Sequence, residues 1–260
     1  MTLHAEGISV VLGDKVILDA VDLIAPVGQV TAVCGPNGSG KSTLLRAVTG
    51  DIAHGGRVTL NGQDITALPP WVLSGTRGVL AQHTSLAFPF KVFEVVRMGL
   101  TAGTAATEPE IVPAALSRVG LGNYGDRFYH DLSGGEAQRV QLARVLAQIW
   151  YATDAGTPRW LFLDEPVASL DIAHQLAVME IARSYAKQGG GVVAVMHDLN
   201  LTAMFADHMM LLKEGRVQAA GTPRDVMTDD ILRTTYDCPV RVGVAPAGEV
   251  PWVLPHAAAS

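Results

Sequence analysis

The run Gly35-Pro36-Asn37-Gly38-Ser39-Gly40-Lys41-Ser42-Thr43 gathers backbone, positive charge and hydroxyls in one short stretch. Its glycines permit dihedrals that turn successive N–H groups to one concave side. There, with the positive end of a following helix, they hold phosphate oxygens. Lys41 adds an ammonium, and Ser42 offers a hydroxyl of the kind that binds Mg²⁺. The pattern G-x-x-x-x-G-K-[ST] therefore points to a polyphosphate and its cation. Far along the chain, Leu161-Phe162-Leu163 runs into Asp164-Glu165. Two adjacent acids at the end of an apolar run are either surface caps or neighbours of a cation. Beside a phosphate loop the second reading gains weight: Asp164 reaches the Mg²⁺ held by Ser42. Glu165 then orients or deprotonates a water attacking the γ-phosphate, a role worth typically about 10²–10⁴ in rate. A third segment, Leu132-Ser133-Gly134-Gly135-Glu136, precedes a helical run over 137–149. Ser133 suits an N-cap and the glycines expose N–H groups, so the residues alone allow a well-capped helix or a second anion site.

These residues need elements to carry them. Val30–Val33 reads as a strand feeding the loop, and Leu44, Leu45 and Val48 fall at helical spacing behind it. Trp160–Leu163 and Val192–Met196 are near-continuous apolar runs, as in strands covered on both faces, and the helical stretch 173–187 between them implies a right-handed crossover and a parallel sheet. Ligands bind at the carboxyl ends of such strands, which is where the phosphate loop and Asp164 both fall. Around this core, 3–24 folds back at Gly13-Asp14 and 57–65 at Asn61-Gly62 as antiparallel hairpins, and 209–220 forms a last hairpin. Pro69-Pro70 opens a short helix, and Gly78–Ala81 is a buried strand ending at Gln82. Between 84 and 150 apolar residues return at helical spacing, over 92–100 and 111–119, as an inserted helical subdomain. The expected fold is α/β, with a mostly parallel sheet, an N-terminal antiparallel β subdomain and that helical insertion. One domain spans 1–243, followed by a tail over 244–260.

The 260 residues, 48% of them hydrophobic, suffice for a sizeable core. A net charge of −6 argues against a nucleic-acid binder and against adhesion to anionic lipid by charge. Cys34 and Cys238 are too few and too far apart for a disulfide framework, which suits a reducing compartment. The N-terminus lacks a signal-peptide pattern, and no window approaches 18 uninterrupted apolar residues. Work at a membrane would need a partner that spans it. The histidines, His4, His54, His83, His130, His174, His208 and His256, show no ligand spacing, and Met209-Met210 reads as core strand, so a haem or metal site in this chain is rejected.

Leu132-Ser133-Gly134-Gly135-Glu136-Ala137-Gln138-Arg139, lying between the phosphate loop and Leu163-Asp164-Glu165-Pro166, resembles the signature of ATP-binding-cassette (ABC) ATPases. The resemblance covers about 3–243. It implies a P-loop NTPase core, ATP and Mg²⁺, and a head-to-tail homodimer in which Leu132, Ser133, Gly134, Gly135 and Glu136 of one copy close on the ATP of the other. By the same resemblance Gln82 is the glutamine that contacts Mg²⁺ and the attacking water, His197 contacts the γ-phosphate, and Ser169, Leu170 and Asp171 form the D-loop across the dimer. A lone histidine after a strand is more often structural, but His197 follows Val195-Met196 at the carboxyl end of a core strand. The aromatic residue that the family stacks on adenine is replaced here by Leu12. Base–aromatic stacking is worth roughly 1–3 kcal/mol, so the expectation is a weakly held base.

The stretch from Phe88 to Gly99, and His197-Asp198-Leu199-Asn200-Leu201 with Ala206-Asp207, resemble importers of metal chelates. Phe88 and Phe90 are either a docking surface for the permease or ordinary packing. The long stretch 148–159, with the sequences that flank it, is most similar to haemin importer ATPases; siderophore and cobalamin uptake are the alternatives. This subgroup implies a membrane permease dimer, an extracytoplasmic substrate-binding protein acting through it, and a place on the cytoplasmic face of the inner membrane. Rival classes fit less well. A soluble ABC-type ATPase acting on DNA or ribosomes carries coiled coils or two cassettes, which this chain lacks. A phosphate-loop kinase leaves the Leu132–Glu136 segment unexplained.

Overall fold

The computed structural model describes residues 1–82 and 88–245, together with 248, 251 and 253. His83 and His256, the first residues of the helical insertion and most of the 244–260 tail lie outside them.

Chain order is β1 (Thr2–Leu12), β2 (Lys15–Pro26), β3 (Val30–Cys34), α1 (Lys41–Val48), β4 (Gly55–Leu60), β5 (Gln63–Asp64), α2 (Pro70–Thr76) and β6 (Arg77–Leu80). Then follow α3 (Val92–Ala102), α4 (Ile111–Arg118), α5 (Gly134–Gln148), β7 (Thr153–Asp154), β8 (Thr157–Pro158) and β9 (Trp160–Asp164). The chain continues with α6 (Ile172–Lys187), β10 (Gly191–Val195), α7 (Leu199–Phe205), β11 (His208–Lys213), β12 (Arg216–Gly221), α8 (Pro223–Val226) and α9 (Asp229–Tyr236).

Two sheets carry the molecule. The larger has order β12-β11-β3-β10-β9-β6 and the smaller β2-β1-β4-β5. In the larger sheet every neighbouring pair except β11–β12 is parallel. The mostly parallel sheet and the antiparallel β layer are as the sequence leads one to expect. Every residue of β3, β9 and β10 is buried, because side chains of these strands meet core on both faces. One face, carrying Trp160, Phe162, Val193 and Val195, packs on α1 and the smaller sheet; the other, carrying Leu161, Leu163 and Ala194, packs on α5, α6 and the helical insertion.

The insertion rests on backbone-close packing of α3 against α5. A Cβ on Gly99 would collide with the Arg144 carbonyl, and one on Gly103 with that of Gln148, so only glycine permits this approach. The stretch 148–159 is not a plain loop. It folds into the β7–β8 hairpin, turned by Ala155 (φ 45°) and Gly156 (φ 81°), a pair of positive dihedrals that tight hairpin turns require. Arg159, buried behind the hairpin, donates to the Tyr151 carbonyl at 3.2 Å, to Asp154 Oδ2 at 2.8 Å and to Thr104 Oγ1 just past α3 of the insertion. The signature helix begins earlier than its apolar pattern suggests, at Gly134.

Candidate functional site

The phosphate loop runs from β3 into α1, with Gly40 (φ 101°) as the residue before the helix. A side chain at Gly35 (φ 146°) would strike the Leu212 carbonyl of β11, which seats the loop tightly on the sheet end. Lys41 is buried, and its Nζ donates to the carbonyls of Gly35 (2.9 Å) and Pro36 (3.0 Å). Burial lowers its pKa, opposed by the nearby Glu165, Cys34 and Asp164. The Ser42 hydroxyl donates to Asp164 Oδ1 at 2.9 Å. Asp164 closes β9 and is itself buried. That burial raises its pKa; the Ser42 bond pulls it down and the Glu165 charge pushes it up again.

Glu165 is the hub. Gln82, just past β6, donates its amide to Oε2 at 2.8 Å, and His197 Nε2 lies 2.5 Å from Oε1. His197 enters from beyond β10, where Asp198 caps α7 by accepting from Leu201 N–H at 2.9 Å. Three adjacent strand ends thus bring residues 42, 164, 165 and 197 together, and Gln82 joins them from β6. A cavity of about 550 Å³ opens above them, lined by Lys15, Ile17, Asn37, Gly38, Gly40, Lys41, Ser42, Thr43, Gln82, Glu165 and His197. Gly35 and Pro36 take part through their carbonyls, and Ser39 is buried beneath with its hydroxyl unpartnered. Lys15 and Ile17, which the sequence reading missed, are the hairpin residues facing this space. Leu12 stands half exposed before the turn and is not among the lining residues.

The donor set suits a divalent cation. The Ser42 hydroxyl and an Asp164 carboxylate oxygen, both hard oxygen donors, stand 2.9 Å apart at the foot of the phosphate loop. Among the described residues no cluster of three or more His, Cys, Asp or Glu forms a metal cage. Such a cation therefore depends on substrate oxygens and water to complete its shell.

The signature residues stand apart. Ser133 caps α5, accepting from Glu136 N–H at 3.3 Å, while Glu136 Oε2 accepts from Ser133 N–H and Oγ, each at 2.8 Å. These bonds, the backbone one foremost, depress the Glu136 pKa to about 2. None of Leu132, Ser133, Gly134, Gly135 and Glu136 lines the phosphate cavity. Gly134 lines a second cavity of about 310 Å³, with Gln138, Gln141, Ala168 and Ser169, which shares Gln82 and Glu165 with the phosphate cavity. Leu170 packs beside Gly135, and Asp171 caps α6 through His174 N–H at 2.9 Å. A larger cavity of about 740 Å³, between β2 and the β11–β12 hairpin, contains none of the residues singled out for chemistry.

A strand-fed phosphate loop, an acidic strand end and a separately capped glycine segment, on a parallel sheet with an antiparallel layer and a helical insertion, define an ATP-binding-cassette ATPase. The family model described as ABC transporter matches residues 18–168, and the chain belongs to that family: it binds ATP and hydrolyses it in support of transport. More particularly, it is 59% identical over 99% of its length, and 99% of the relative's, to the "Hemin import ATP-binding protein HmuV" of Roseobacter denitrificans. To the protein of the same name from Rhizobium meliloti it is 52% identical, covering 98% of this chain and 99% of that one. Among solved structures, an ATP-binding cassette of an ABC transporter in its ADP conformation superposes with a TM-score of 0.76 at 25% identity, over 91% of this chain and 99% of that one. No helix among the described residues is long and apolar enough to cross a membrane.

Proposed function

We propose that this chain energises uptake of haemin, as a head-to-tail homodimer docked on the cytoplasmic face of the inner membrane against a permease dimer that receives haemin from an extracytoplasmic binding protein. The reaction rests on one observation, the Glu165 carboxylate gripped by Gln82 and His197 at the rim of the phosphate cavity. The cargo rests on the likeness, over nearly the whole chain, to hemin import ATP-binding proteins.

In this reading the N–H groups of 35–43 and the Lys41 ammonium hold the β- and γ-phosphate oxygens. Lys41 turns from the Gly35 and Pro36 carbonyls to do so. Ser42, Asp164 and Gln82 would hold Mg²⁺, which would supply positive charge to offset that of the phosphates. Glu165 takes the proton of the attacking water as its oxygen bonds to the γ-phosphorus and the bond to the ADP oxygen breaks, leaving phosphate. His197 turns a ring nitrogen to the γ-phosphate, and Gln82 steadies the water. Ser133, Gly134 and Gly135 of the second copy cover the phosphates, with Ser169, Leu170 and Asp171 meeting across the dimer. Phe88, 70% exposed beside Phe90, offers the permease an apolar contact.

The test is affinity capture of the tagged chain from detergent-solubilised native membranes, followed by ATPase assays with haemin, a ferric siderophore or cobalamin delivered by their binding proteins. A co-purifying polytopic permease and stimulation by haemin are expected. Stimulation by another ligand reassigns the cargo; recovery of ribosomes or DNA without a permease overturns the transport reading.

A further inference from the structure

Among the described residues, six non-glycine positions have positive φ, and Asn61, Ala155 and Glu214 of these precede glycine in hairpin turns that require it. Glu165 (φ 50°) is different: it precedes Pro166, whose ring pushes the preceding residue toward extended backbone. Such a conformation persists only where its surroundings impose it. Main-chain bonds supply part of the constraint, from Glu165 N–H to the Val195 carbonyl (3.2 Å) and from Ala168 N–H to the Glu165 carbonyl (3.4 Å). The remaining bond to this peptide unit comes from a side chain, Gln138 Nε2, which donates to the Glu165 carbonyl at 3.0 Å. A carbonyl only accepts, so the amide must present its nitrogen, which is consistent with the Gln138 oxygen having no partner. Gln138 stands in the second turn of α5, the helix whose first residues are Gly134 and Gly135.

We infer that Gln138 is a positioning residue, which fixes the left-handed Glu165 backbone and so aims its carboxylate into the phosphate cavity. The inference rests on the proposed role of Glu165 as base. It gives the signature helix a direct hold on the catalytic carboxylate of its own chain: a shift of α5 reaches Glu165 through one hydrogen bond, without passing through the nucleotide.

The experiment compares Gln138→Met, Gln138→Glu and Gln138→Lys in the full chain by steady-state ATPase, KM for ATP and Tm. Methionine and a carboxylate cannot donate, whereas lysine can. Loss of one net hydrogen bond at the base should lower kcat about tenfold in the first two, with KM unchanged. Gln138→Lys should recover most of the rate. Gln138 is partly exposed, and a carboxylate near the start of α5 suits the helix dipole, so Gln138→Glu retains the fold. Wild-type kcat in both non-donating variants overturns the inference, as does a loss shared by all three with lowered Tm and raised KM. Glu165→Gln is assayed alongside. If it turns over normally, the base assignment falls; if it is inactive while Gln138→Met and Gln138→Glu are normal, only the positioning role falls.

Discussion

The phosphate cavity and the signature segment satisfy their polar groups in opposite ways. In the cavity the polar and charged groups pair with one another: Lys41 with loop carbonyls, Ser42 with Asp164, Gln82 and His197 with Glu165. Burial pushes both Lys41 and Asp164 toward their neutral forms, so the cavity holds charge at a cost that a bound cation and polyphosphate would remove. The signature segment carries no such tension. Ser133 and Glu136 close a capping box by themselves, and a Cβ on Gly134 would meet nothing within 4 Å in this chain. A region poised for a ligand is recognisable from one chain; a region at rest shows its use only when something else arrives.

The sharpest way to break this contrast is to disable one region at a time. Lys41→Ala should abolish ATP binding and hydrolysis. Gly134→Ala should leave Tm and ATP affinity of the isolated chain unchanged, because the methyl has free space, yet lower hydrolysis by about 10²-fold if a second copy's phosphates must fit there. Mixing the two inactive variants should restore activity, since one site of the mixed dimer then has both an intact phosphate loop and an intact signature. Wild-type hydrolysis by Gly134→Ala, or no recovery on mixing, would sever the signature from catalysis in trans.

A smaller effect tests the tension in the cavity. Asp164 has a raised folded-state pKa, so its contribution to stability is fully present below the unfolded value near 3.9 and is lost as pH rises through the folded one. Asp164→Asn keeps an acceptor for Ser42 and has no charge to bury. Without nucleotide it should melt about 2–4 °C above wild type at neutral pH, with the gap closing toward pH 4. A pH-independent gap would remove burial of this charge as the cause.

Much of the cavity was legible because strand ends are legible: an apolar run ending at Gln82, Asp164 or just before His197 leaves the polar residue at the carboxyl edge of the sheet, whichever strand it terminates. Hairpins at Gly13-Asp14 and Asn61-Gly62 announce themselves by turn chemistry. The β7–β8 hairpin did not, since Ala155-Gly156 is a weaker turn signal and its strands are only two residues long. Helices α8 and α9 follow usable start signals, Thr222-Pro223 and Thr228, but at four and eight residues both are too short to show a clear apolar period. Gln138 is legible in the sequence only as part of a motif, because its bond to the Glu165 carbonyl depends on how α5 lies against β9, which spacing does not encode. The expectation that the signature serves a second copy came from resemblance alone.

By the resemblance, base recognition would fall to the hairpin at the edge of the same cavity. With Lys15 and Ile17 lining it and Leu12 outside, the described hairpin offers no aromatic face to a base. ATP and GTP should then show KM values within a few-fold, since the stacking term of roughly 1–3 kcal/mol is missing. A KM for GTP many-fold above that for ATP would show that another contact selects adenine.

The weakest effect belongs to the region at rest. Glu136 titrates at about 2 in the folded chain, so its support of α5 is complete above the unfolded value near 4.3 and is lost as pH falls from there through about 2. Glu136→Gln keeps an acceptor for the Ser133 groups and has no carboxylate to protonate. Acid unfolding of this variant should therefore have a shallower dependence on pH than wild type between about 4 and 2, with stability below wild type at neutral pH and the difference closing as pH falls toward 2. Equal slopes would mean that the capping box does not hold the helix through its charge. The resting order of the signature segment would then have to come from packing, with Leu170 against Gly135 the first contact to vary.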